Sequence, residues 1–172
     1  MNQDVAITAL LTERAAQANT ITDVHVTDST ILISLQPPVA ATYQRPDCRS
    51  PVTAVYHDSE IIIVQGLGVQ GKALRYHVKQ IRLGYLNDAR TFITFTVPIP
   101  GIRTDLCVTD EVIDKAFYLN VERNLSLPVT AAMLRDLYQV ETSSSALDRW
   151  KAGEAQALPS IGQLIQRLNQ KN

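Results

Sequence analysis

Apolar residues recur along this chain at helical spacing, then at strand spacing, then at helical spacing again. From Asp4 to Ala18, Val5, Leu10, Leu11, Ala15 and Ala16 fall near one face while Glu13 and Arg14 fall on another, which predicts an amphipathic helix that packs on the body or on a partner. The β-branched runs Val24-His25-Val26 and Ile31-Leu32-Ile33-Ser34-Leu35 flank the polar Thr27-Asp28-Ser29-Thr30, which predicts a β-hairpin. Gln36-Pro37-Pro38 closes it, because proline lacks the amide donor that a central strand needs. Val52 to Tyr56, Glu60 to Gln65, Ala73 to Leu83 and Arg90 to Val97 continue the strand pattern, with Gly66, Gly68 and Gly71 read as a flexible connection. Strict alternation sets Leu74, Tyr76 and Val78 against Arg75, His77 and Lys79, giving one core face and one basic face.

Pro98-Ile99-Pro100-Gly101 opposes continuation of either element and places a junction there. The expected organisation is an N-terminal helix and β-rich domain over 1–100, then a helical domain over 101–172. Thr109 is the N-cap of the first helix of that second domain, with Asp110 and Glu111 in its first turn and Val112, Ile113, Ala116, Phe117 and Leu119 on its apolar face. Ser126 caps the next, which tolerates Pro128 in its first turn and carries Thr130, Ala131, Met133, Leu134 and Leu137. A third starts near Thr142 or Ser143 and includes Ala146, Leu147 and Trp150, the last read as core. A short helix from Ile161 to Leu168 follows Pro159. The fold class is therefore α+β.

Composition keeps the candidate functions few. At 172 residues and 45% hydrophobic content the chain can bury a core, as one domain or two small ones. The acidic start and the lack of a long apolar run predict neither a signal peptide nor a membrane span, hence a cytoplasmic location. Cys48 and Cys107 are read as thiols rather than a disulfide. The formal net charge of −1 argues against strong nucleic-acid binding, yet between Gly71 and Thr104 six cationic residues, Lys72, Arg75, Lys79, Arg82, Arg90 and Arg103, face only Asp88. Phosphate contact would begin there. From Asp105 onward acids outnumber bases, nine to seven.

Arg45-Pro46-Asp47-Cys48-Arg49-Ser50 and the segment from Arg82 to Phe92 resemble two zinc-ribbon knuckles in which three of four ligand positions are no longer cysteine. The positions read Arg45, Cys48, Tyr85 and Asp88, whereas a structural zinc site needs four nitrogen or sulfur donors closed into a tetrahedron. The expectation is a ribbon without metal or other cofactor, held together by something else, since metal binding and folding are coupled in such domains. Further words, Arg90-Thr91-Phe92, the run from Thr109 to Ile113, Leu125-Ser126-Leu127 and the run from Val140 to Trp150, make the stretch from about Gln44 to Leu158 similar to the zinc-ribbon and helix-turn-helix region near the start of bacterial and archaeal insertion-sequence transposases. In those proteins a metal-dependent ribonuclease-H-type domain follows the Trp150 position; here 22 residues follow it. The resemblance implies the DNA-binding part of a mobile-element protein without its cutting part.

In a helix-turn-helix the second helix enters the major groove. Ser143, Ser144 and Ser145 would then donate to phosphates or base edges, and Arg149 and Lys151 would contact phosphate or guanine. With Lys72, Arg75, Lys79, Arg82 and Arg90 from the basic strand and its neighbours, these form the candidate nucleic-acid surface, and duplex DNA is the expected partner. Plain capping by the serines, and a solvated basic strand that merely guards an edge, are the alternatives. Cys48, Ser50 and His57 have no motif that would fix them as nucleophile and base. The run Gly66 to Lys72 lacks the Gly-Lys-Ser/Thr ending of a phosphate loop. The expected function is thus nonenzymatic DNA binding, as a regulator or as a subunit of a nucleoprotein complex, with a protein-interaction module as the alternative.

Overall fold

A computed structural model describes residues 14–38, 40, 42–45 and 50–157, the last four by backbone alone. The chain is a mixed α+β protein: α1 (Arg14–Ala18), β1 (Thr20–Val26), β2 (Thr30–Gln36), β3 (Tyr43–Gln44), β4 (Pro51–Val52), β5 (Val55–Val69), β6 (Lys72–Leu86), β7 (Phe92–Thr96), β8 (Ile102–Arg103), β9 (Val108–Thr109), α2 (Asp110–Phe117), α3 (Leu127–Tyr138) and α4 (Ser144–Ala157). Positions 4–13, Cys48 and the helix expected over 161–168 lie outside the described residues.

The main sheet runs β1-β2-β6-β5-β9-β8, with β7 also on β6, while β3 and β4 form a separate two-stranded ribbon. The β1–β2 hairpin forms where alternation predicts it, and Thr27 Oγ1 accepts from Thr30 N at 3.0 Å across its turn. β2 lies parallel to the first half of β6, and β7 lies antiparallel to the second half on that same edge. The other edge of β6 is filled by β5 in a long antiparallel ladder closed by Gln70 and Gly71, both with positive φ, as a tight hairpin turn of this hand requires.

Two expectations along this hairpin are corrected. The gap between Tyr56 and Glu60 does not exist: β5 runs through His57, Asp58 and Ser59, absorbing one extra residue as a bulge between Tyr56 and Asp58, because the continuous β6 offers partners throughout. Gly66 and Gly68 are not a flexible connection either. Both are strand residues, and a Cβ on Gly68 would stand 2.5 Å from Tyr138 O, so the missing side chain is what lets α3 approach.

The pleat of β6 changes its buried side midway. Leu74, Tyr76 and Val78 are buried on one face with Ile31, Ile33, Leu35, Val64, Ala15, Ala16 and Ile99. Ile81 and Leu83, an odd number of residues further on and therefore on the opposite face, are buried with Val97, Tyr43, Ala54 and Phe95. Lys79 and Gln80 sit at the changeover. A third core lies among the helices: Val112, Ile113, Ala116, Leu119, Leu134, Val140, Leu147 and Trp150, with Val108 and Leu67 joining it from the sheet.

Beyond Pro98–Gly101 the chain returns to the sheet before turning helical. β8 and β9 pair with each other, and Gln65 N donates to Cys107 O at 2.9 Å. α1 reaches the same region, since the Arg14 side chain bonds Glu111 at 2.7 Å and Asp114 at 2.6 Å in the first turns of α2. Among the described residues no helix is long and apolar enough to cross a membrane.

Candidate functional site

Three of the four knuckle positions meet in space. Arg45, just past the end of β3, faces the β6–β7 turn; its N bonds Ser50 O at 2.9 Å just before β4, and Asn87 N bonds Thr91 O at 3.0 Å within the β6–β7 turn. The Arg45 guanidinium lies 5.3 Å from the centre of the Tyr85 ring, and its Nη1 is 3.2 Å from Asp88 Oδ1. Tyr85 and Tyr43 each meet the Phe95 ring edge-on, at 6.0 and 5.9 Å, so the clamp continues into the aromatic floor of this core. Cys48 is outside the described residues. Among those described, no three His, Cys, Asp or Glu residues gather as a metal would need.

The second feature is the helix pair. α3 ends at Gln139 in the left-handed conformation, φ 54°, with Val140 N bonded back to Leu134 O at 3.1 Å; Leu134 and Val140 are both buried, so the stop is sealed by an apolar contact. Five residues later α4 begins, and Ser143 Oγ accepts from Ala146 N at 3.2 Å as its cap. Leu147 and Trp150 point into the helical core, which leaves Ser145, Asp148, Arg149 and Ala152 on the outer side.

The connecting segment is pinned to the sheet. Gln65 and Glu141 exchange two hydrogen bonds, Glu141 N to Gln65 Oε1 at 2.9 Å and Gln65 Nε2 to Glu141 O at 3.1 Å. Arg75 donates from Nη1 to Leu74 O at 3.1 Å and to Gln139 O at 3.3 Å. Burial pushes the Arg75 guanidinium below the usual arginine range, with Glu141 opposing the shift. Beside this junction a cleft of about 320 Å³ is lined by Gln65, Asp105, Glu141, Thr142, Ser143 and Arg149 among others.

The residues singled out from the sequence therefore separate into groups. Lys72 Nζ bonds Thr27 O and, at 2.7 Å, Asp28 O, tying the β5–β6 turn to the β1–β2 turn. Arg75 is a structural tie. Arg82 pairs with Asp58 at 3.3 Å on the face of the sheet opposite Lys79, so the basic residues of β6 do not form one surface. Arg90 is exposed in the β6–β7 turn with φ 59°. Ser143 is occupied as a cap, Ser144 is half-buried, and Lys151 Nζ bonds Asn120 Oδ1 at 3.2 Å. Lys79, Ser145 and Arg149 are exposed, and their side chains make no hydrogen bond or ion pair among the described residues. Sequence reasoning passed over Gln65, Asn120 and Gln139. Single polar residues whose partners lie far along the chain leave no periodic trace.

No protein-family model, curated protein or solved structure matches the chain.

Proposed function

We propose that this chain is a nonenzymatic duplex-DNA-binding protein, a metal-free ribbon joined to a helix-turn-helix, acting as a regulator of a mobile element or as a subunit of a nucleoprotein complex. The observation that carries this reading is the α3–α4 pair: two helices packed on one core across a sealed five-residue connection, with Ser145 and Arg149 one helical turn apart and outward on the second helix. An arginine there reaches guanine or phosphate, and a serine reaches either. The flanking Asp105 and Glu141 keep DNA from the tip of α4, so contact runs along its outer side. The meeting of Arg45, Tyr85 and Asp88 supports the ribbon half of the reading, with a stacked and paired guanidinium where a metal-bearing ribbon closes on zinc. A net charge of −1 limits the affinity to a few phosphate contacts, which suits a subunit better than a solitary repressor.

The test is binding to a pool of duplex DNA over a salt series. Arg149→Ala and Lys79→Ala should each weaken binding and lower the salt slope by about one. Absence of binding at low salt would sink the reading. A protein-interaction role is the second reading, favoured by Ile61 and Ile63, which stand 70% and 58% exposed on β5.

A further inference from the structure

The outer edge of β5 is open where β9 stops. Gln65 N donates to Cys107 O and so points away from β6. Backbone polar groups of a strand alternate sides, which aims the N–H and C=O of Ile63, Ile61 and Ser59 the same way. Among the described residues no strand pairs with β5 along this edge except at Gln65. Proteins blunt such edges with lysine, proline or a bulge. The window Asp58–Val64 has neither lysine nor proline; of its two exposed carboxylates Asp58 pairs with Arg82 and Glu60 stands next to Ile61. Its two largest exposed apolar side chains are Ile61 and Ile63, and the bulge lies just outside it at His57.

We propose that this edge pairs antiparallel with the same edge of a second copy, about a two-fold axis through Ile61, to form a homodimer with one continuous sheet. The window runs from the bulge to Gln65 and is centred on Ile61, whose outward backbone groups match those of its own copy. In that register Ser59 meets Ile63 and Glu60 meets Ile62, so no charge lies directly opposite a like charge, the two exposed Glu60 carboxylates stand diagonally across the axis on one face, and Ile61 and Ile63 of both copies share the other face. A bulge bends a strand, and this one falls where the second copy's Gln65 already carries β9. The proposal stands independently of DNA binding.

Oligomeric state of the full chain, by sedimentation across a concentration series, is the test. The chain should sediment at twice its mass. Ile61→Lys combined with Ile63→Lys should raise the dissociation constant by about tenfold or more with unchanged circular dichroism, since both side chains are already exposed in one copy. Ile61→Pro should do the same, because the amide it removes does not serve β6. In a chain carrying Cys48→Ser and Cys107→Ser, Ile61→Cys should cross-link on oxidation, since facing residues of such a pair stand about 5.5 Å apart at Cα, a separation a disulfide spans. Ile21→Cys, on the far edge strand β1, should not. A monomer at every concentration overturns the proposal, as does a dimer indifferent to these substitutions and uncrosslinked at position 61. A monomer that instead takes up another protein's extended segment at this edge also overturns it.

Discussion

Arg45 shows how one side chain can serve two unequal partners. Its own side chain is 13% exposed and that of Asp88 is 95% exposed, so the ion pair is solvent-screened while the stack on Tyr85 is largely covered. The stack should dominate: about 1–2 kcal/mol against well under 1 kcal/mol for the pair. Arg45→Ala is expected to lower stability by about 1–2 kcal/mol and Asp88→Ala by less than about 0.5 kcal/mol, read from urea midpoints, with a zinc chelator leaving both curves in place. Asp110 makes a pH statement. Burial raises its carboxyl above the usual range, with Arg14 pulling the other way. The folded chain then holds this proton to a higher pH than the unfolded one, so this group's contribution makes stability fall as pH rises from the ordinary carboxylate pKa through the raised value. Asp110→Asn should remove that part of the slope in urea titrations over the acid range; an unchanged slope would show that another group sets it.

At the level of elements, periodicity made the β1–β2 hairpin, the alternation of Leu74 to Lys79 and three helices legible, because each is a local pattern repeated over several residues. It did not reveal the continuity of β5, since His57-Asp58-Ser59 looks like a turn until β6 is present to pair with it. Nor did it reveal why Gly66 and Gly68 are glycine, since the atoms they admit come from Leu74, Tyr76 and Tyr138. The two kinds of close approach should differ. A Cβ at Gly68 meets backbone carbonyls at 2.5 and 2.7 Å, whereas the three atoms nearest to one at Gly84 all belong to the ring of Phe92, an exposed side chain that can turn away. Gly68→Ala is expected to cost about 1–3 kcal/mol and Gly84→Ala distinctly less, as compared by thermal melts.

The whole molecule joins three cores through one hairpin. Leu67 and Val108 feed the helical core, and Arg75 and Gln65 fasten the loop before α4 to the sheet, so the orientation of α4 is set by β5 and β6 as much as by its own bundle. Trp150→Ala should therefore cost about 3–5 kcal/mol and release the α4 amides from hydrogen-exchange protection. Of the candidate DNA surface, the residue types were legible but not their allegiance. Lys72 and Arg75 carry the same charge as Lys79 and Arg149, yet carbonyls from distant turns engage the first two, and only the tertiary fold says so. The open edge of β5 was equally hidden, because an Ile-rich run reads as core whether or not anything covers it.

The reversal of the buried face at Lys79 and Gln80 has a bearing on how the hairpin finds its alignment. A strand that alternates without interruption can slide by two residues and still turn every apolar side chain inward. β6 cannot, because its pattern inverts phase partway along: sliding by one residue exposes both ends, and sliding by two carries the inversion past the point where the packing elements change sides. The reversal acts like the notch on a ruler, an internal origin against which the other strands are measured.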